Sequence, residues 1–176
     1  SRSSAWAPAC TSPTRSFGMA EPRFLLDGML GSLARWLRIM GYDALYVRDA
    51  SDADMLARLV GNDRTLLTRD RQLADRAGGR GLYLEEGELE GQLLTVVERF
   101  GLSTEGRMAR CSACNGDLEA VGKEAVAGLV EAGTLSGHAE FWRCRDCGKI
   151  FWQGAHWRTI RDRLQRVSRG PGSGPR

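Results

Sequence analysis

Two cysteine pairs, Cys111-Ser112-Ala113-Cys114 and Cys144-Arg145-Asp146-Cys147, have the spacing of metal-ligand hooks. Each turns two thiolates inward on a tight knuckle. Together they offer the four sulfurs that tetrahedral zinc takes at about 2.3 Å per bond. The 29 residues between the hooks make a longer insert than in the smallest zinc ribbons, and Gly148 follows the second hook, as knuckle geometry often requires. Two matched hooks argue against a redox-active dithiol. Four-cysteine zinc generally staples a fold and does no chemistry, and its binding energy would offset a core of only about 50 residues. His138 and His156 are not needed as ligands. His156, inside Trp152-Gln153-Gly154-Ala155-His156-Trp157, reads as either a packed aromatic or a substrate contact, and the dense aromatic surroundings favour packing.

The second chemical group is acidic. Asp27 stands directly after the apolar run Phe24-Leu25-Leu26, where a charge is costly unless exposed, paired or metal-bound. Asp70 follows a similar run in Thr68-Arg69-Asp70, Asp75 comes a turn later, and Asp52 and Asp54 open a helix. Carboxylates converging on one sheet edge suit Mg²⁺ or Mn²⁺, which prefer hard oxygen donors and support in-line phosphoryl displacement. Asp52, Asp54 and Asp70 fit equally well as helix caps and first-turn residues. Asp27 favours a site, because Gly28 and Met29 give it little to cap. Thr68 fits either a ligand-orienting role or an ordinary strand position.

These residues need a frame. Strands are expected at 24–26, 44–48, 64–68 and 81–84, alternating with helices at 30–40, 52–60, 70–77 and 88–100. Four alternations predict an α/β fold, a parallel sheet with helices on both sides and ligands at the carboxyl ends of its strands. A short helix is expected at 123–132 and a longer one at 154–167, with Trp157, Ile160, Leu164 and Val167 as its apolar stripe. Arg35 and Arg38 belong to the polar side of the first helix, and Arg158 and Arg161 sit outside the apolar stripe of the last.

The 176 residues suffice for one ordinary domain and a small one. Residues 23–100 hold 11 Arg against 13 Asp and Glu, whereas 101–169 hold 11 Lys and Arg against 8 acids. An acidic front and a basic back suit a metal site beside a polyanion-binding surface, or simply two solvated surfaces. No apolar run approaches the roughly 18 residues of a membrane span, and no signal peptide is visible, so a cytoplasmic, reducing compartment is expected. Residues 1–22 and 169–176 lack periodicity and read as disordered, with Met19 a candidate start and Cys10 alone. The expected division is 23–104 for the α/β domain and 105–168 for the zinc ribbon with its basic helix.

Phe24 to Arg38 (FLLDGMLGSLARWLR), Gly41-Tyr42-Asp43, Leu67-Thr68-Arg69-Asp70, both CxxC pairs and Phe151 to Trp157 (FWQGAHW) together resemble the Mut-seven C-terminal RNase domain family. The resemblance covers roughly residues 23–165. It implies a PIN-like nuclease domain followed by a zinc ribbon, a metal-dependent endoribonuclease acting on single-stranded or structured RNA. Carried over, Asp27 and Asp70 match the strand-end acids, and Asp54, with Asp52 as its rival, matches the acid of the second helix. Gln72 stands where related sequences often carry another acid, and Asp75 is the candidate substitute. Arg35, Arg38, Arg69, Arg158 and Arg161 are the expected phosphate contacts. A non-catalytic RNA- or ribosome-binding adaptor is the alternative.

Overall fold

The computed structural model describes residues 20–169. The disorder expected for 1–19 and 170–176, with Met19 and Cys10, falls outside the described residues. Four short strands, β1 (Phe24–Leu26), β2 (Ala44–Tyr46), β3 (Thr65–Thr68) and β4 (Gly81–Tyr83), form one parallel sheet in the order β2-β1-β3-β4. The two central strands are almost wholly buried, as expected where both faces are covered.

Side chains alternate across the sheet and so build two cores. Phe24, Leu26 and Leu67 pack with α1 (Gly31–Ile39), α4 (Leu89–Phe100) and α7 (Ala155–Arg169). Leu25 and Leu66 face the other way, onto Met55 and Leu59 of α2 (Asp52–Leu59) and Leu73 of α3 (Arg71–Ala77). The chain thus leaves β1 outward to β2, returns past β1 to β3, and continues to β4. Neighbouring strands β1 and β3 consequently lead out in opposite directions, the switch point at which open α/β sheets bind ligands.

Beyond α4, β5 (Leu118–Val121), β6 (Phe141–Cys144) and β7 (Ile150–Phe151) form a small antiparallel sheet carrying the cysteine hooks. The single helix expected at 123–132 is instead two pieces, α5 (Lys123–Val126) and α6 (Ala132–Gly137). Ala127 and Val130 pair in a β-bridge that interrupts them.

The last helix departs from its expected place with the ribbon. Leu164 and Val167 are buried in the same core as Leu33, Leu37, Leu93 and Val96. Its apolar stripe is as expected, but the surface it covers is α1 and α4. The chain therefore crosses the ribbon and returns to close the first core.

Candidate functional site

Three of the expected residues meet at the switch point. Thr68, fully buried at the end of β3, donates its hydroxyl to Asp27 Oδ2 and accepts the backbone N–H of Asp70 at 2.9 Å. Asp27 Oδ1 accepts from the N–H of Met29 at 3.0 Å, and Asp70 Oδ1 caps α3 through the N–H of Leu73 at 3.0 Å. Neither acid has an ion-pair partner among the described residues. Gly28 allows this arrangement: a Cβ there would collide with the carbonyl of Arg48, while its own carbonyl accepts from Tyr46 Oη at 2.9 Å.

The other acids are engaged nearby. Asp54 forms a reciprocal capping box with Ser51, and the Ser51 hydrogen bonds hold its carboxyl below the ordinary range. Asp52 pairs with Arg76 at 3.0 Å, tying α2 to α3. Asp75 is exposed on α3, and Gln72 is exposed beside it. Among the described residues, the one group of three or more metal-type side chains with ligand atoms within 4.8 Å of one another is the four cysteines. Asp54 therefore does not complete a three-acid cage with Asp27 and Asp70. A two-carboxylate site remains chemically reasonable, since Mg²⁺ is commonly held by one or two carboxylates and keeps several waters.

Glu86 was not anticipated. It lies just beyond β4, whose exit lies beside Thr68 through the Leu84 N–H to Thr68 carbonyl bond of 2.8 Å. Its Oε1 accepts from Thr95 at 2.8 Å, while Oε2 is buried without a partner. A loop carboxylate in a run of acidic residues (Glu85, Glu86, Glu88) gives no sequence signal that one of them is enclosed.

The cysteines fit zinc by geometry. Sγ of Cys111 lies 3.7 Å from that of Cys147, and Sγ of Cys114 lies 3.4 Å from that of Cys144. A zinc tetrahedron with 2.3 Å bonds has sulfur–sulfur edges of about 3.8 Å, so little adjustment is needed. The N–H groups of Gly116 and Cys147 point at Cys114 and Cys144 at 3.4 and 3.5 Å. Each hook ends on a left-handed residue, Asn115 (φ 73°) and Gly148 (φ 72°), which reverses the chain around the sulfurs. Burial pushes the Cys114 thiol up to about 12, whereas the backbone N–H of Lys149 brings Cys147 down to about 7.

The first knuckle docks on the amino edge of the parallel sheet, opposite the acids. Asn115 accepts the N–H of Ala44 at 2.9 Å and donates to Asp43 Oδ1 at 2.8 Å. Asp43 also receives Arg64 at 2.7 Å and Arg23 at 3.1 Å, with Arg110 at 3.9 Å. Burial alone would raise its pKa, but hydrogen bonds from Arg64, Asn115 and Arg23 outweigh it and hold the carboxyl well below the usual range. Arg38, expected to face solvent and phosphate, is instead only 7% exposed. It donates to the carbonyls of Ala44 at 2.9 Å and Ala113 at 3.1 Å, because its position on α1 points at the docked knuckle. His156, for which packing was favoured over substrate contact, is exposed, whereas Trp157 and Ile160 on the adjoining face of α7 are half-buried.

The fold is thus an α/β sheet with carboxylates at its switch point and, at its far edge, a four-cysteine knuckle that could hold zinc. The family model described as Mut7-C RNAse domain matches residues 22–164, most of the chain, and the chain belongs to that family. A nuclease-like, RNA-related function follows from that membership. No curated protein and no solved structure matches the chain. Among the described residues, no helix is long and apolar enough to cross a membrane.

Proposed function

We propose that the protein is a metal-dependent endoribonuclease of the reducing cytoplasm, with a structural Zn²⁺ on Cys111, Cys114, Cys144 and Cys147 and a catalytic Mg²⁺ or Mn²⁺ at the acidic edge. One observation carries the reading: at the β1/β3 switch point the buried hydroxyl of Thr68 donates to the Asp27 carboxylate and accepts the backbone N–H of Asp70, which brings two acids 43 residues apart in sequence to one sheet edge, neither with an ion-pair partner among the described residues. Asp27 and Asp70 are the ion's ligands. Asp54, Asp52, Asp75 and Glu86 stand as the nearby acids from which a further oxygen or a proton acceptor is drawn. A divalent ion there supplies charge neutralisation and water positioning for in-line displacement at a phosphodiester.

The chain's own residues do the rest. Thr68 holds the Asp27 carboxylate toward the edge, and the turn through Gly28 keeps its backbone close to β2. Arg69, exposed beside Asp70, is available to a phosphate of the substrate.

The test is a cleavage assay with zinc-loaded protein, single-stranded RNA and added Mn²⁺. Asp27→Asn is expected to slow cleavage at least about a hundredfold, several kcal/mol of lost transition-state stabilisation. An unchanged rate removes the mechanism. Gln72 and the engagement of Asp54 in its capping box favour a second reading, a non-catalytic RNA-binding adaptor. Parent protein that binds RNA but never cuts it in Mn²⁺ selects that reading.

A further inference from the structure

The face of α1 turned toward α7 carries three adjoining cavities that share Arg35 and Ile160. One begins at Ser32, in the first turn of α1, five residues after Asp27. The middle one keeps Trp36 and Arg163 and adds His156, Thr159 and Arg166. The last, of about 180 Å³, lies against the ribbon, with Arg35, Arg107 and Arg110 facing Phe151, Trp152 and Trp157. Among the described residues, no Asp or Glu lines any of the three.

Two arginines there have unspent capacity. Arg35 is exposed and has no ion-pair partner among the described residues. Arg107 is anchored by the Met40 carbonyl at 3.3 Å and Glu21 at 2.7 Å, yet its Nη2 is buried without a hydrogen-bond partner. Planar guanidinium groups suit phosphate oxygens, and flat aromatic faces suit unstacked bases. The volume is below the roughly 300–1,000 Å³ of whole small-molecule sites. It has room for one base with its phosphate and none for a duplex.

We propose that the α1–α7 cleft carries single-stranded RNA, and that its ribbon-side cavity receives one nucleotide, the base against Trp152 and Trp157 and the phosphodiester against Arg35 and Arg107. This rests on RNA being the substrate. Of the arginines expected on α7, Arg158 and Arg161 do not line this cleft; Arg163 and Arg166 do. Arg163 also stacks on Trp36 at 5.3 Å, stiffening the wall. Arg35 is the fifth residue of α1, so the seated phosphate lies about one helical turn, roughly 6 Å of rise, from the end of the helix nearest the acidic edge. The cleft therefore sets where along the strand the acids act.

The experiment uses full-length, zinc-loaded protein and a fluorescein-labelled single-stranded RNA, followed by anisotropy across a salt titration without added Mg²⁺ or Mn²⁺. Arg35→Glu is expected to weaken binding about tenfold and to reduce the salt slope by about 1. Trp152→Leu is expected to weaken binding with the slope unchanged, since a stacking face rather than a charge is lost. Parent affinity and slope in Arg35→Glu overturn the proposal. So does polyglutamate binding as tightly as RNA with the same sensitivity to Arg35→Glu, which would make the cleft a site for acidic peptides. Asp27→Asn separates this from the catalytic reading: it is expected to retain full RNA affinity. Cleavage by Asp27→Asn at the parent rate sinks the nuclease mechanism alone, and normal binding by Arg35→Glu sinks the cleft alone.

Discussion

Asp43 and Asn115, 72 residues apart, are joined by a 2.8 Å hydrogen bond from the asparagine amide to the carboxylate. Asn115 is the left-handed residue that closes the first cysteine hook, and Asp43 immediately precedes an edge strand of the parallel sheet. The cysteine knuckle and the sheet are therefore parts of one packed unit, and perturbing either reaches the other.

Zinc removal tests that coupling. In Cys144→Ser, or after chelation, the knuckle loses its form and Asn115 releases Ala44, whose N–H it accepts at 2.9 Å. Hydrogen exchange is expected to speed up at the Ala44 amide while the Leu67 amide, in central strand β3, stays protected. Equal protection of Ala44 with and without zinc would show the knuckle to be a passive appendage.

Acid should unfold the protein partly through Asp43. Its folded pKa lies below the unfolded value of about 3.9. Its contribution is therefore complete above that value and fades as pH falls through it toward the folded pKa. The groups facing it are the guanidinium groups of Arg23, Arg64 and Arg110, so the slope belongs to the carboxylate. Asp43→Asn is expected to cost about 3 kcal/mol at pH 7. Urea midpoints taken at pH 6 and pH 3.5 should differ less in Asp43→Asn than in the parent.

Thr68 acts through the acids. Thr68→Val keeps the shape but leaves Asp27 Oδ2 and the Asp70 N–H without the hydroxyl, costing about 1–3 kcal/mol of stability. Cleavage is expected to fall about tenfold, consistent with loss of one such contact. Thr68→Ser restores the hydroxyl and is expected to rescue the rate. A Ser variant as slow as the Val variant would assign the loss to packing.

Gly28→Ala places a methyl against the Arg48 carbonyl and moves the loop that carries Asp27. Overpacking of this kind costs about 1–3 kcal/mol. RNA cleavage is expected to drop much further than the thermal midpoint, while RNA affinity in the α1–α7 cleft remains. Parallel losses of cleavage and affinity would contradict a local effect.

Leu164→Ala examines the return of the last helix. Leu164 is 1% exposed in the core shared with α1 and α4. The expected cost is about 2–5 kcal/mol in denaturant unfolding. A helix that merely decorated the ribbon would leave the stability of the sheet unchanged.

Local patterns made the principal elements readable. Continuous apolar runs such as Phe24-Leu25-Leu26 mark strands buried on both faces, helical spacing in Leu33, Leu37 and Met40 marks α1, and paired CxxC hooks mark a knuckle whatever surrounds it. Parallel pairing then requires Asp27 and Asp70 to leave the sheet on one edge, so their meeting was legible from chain direction alone. Which partners each charge would find was not, because hydrogen bonding depends on neighbours distant in the chain. Arg38 has the exposed look of a phosphate contact until the knuckle folds over it. Glu86 reads as one of several loop acids until α4 covers it. Tertiary docking decided these roles, and it alone carried α7 back across α1 to make the cleft, since an apolar stripe specifies that a surface will be covered but leaves its partner undetermined.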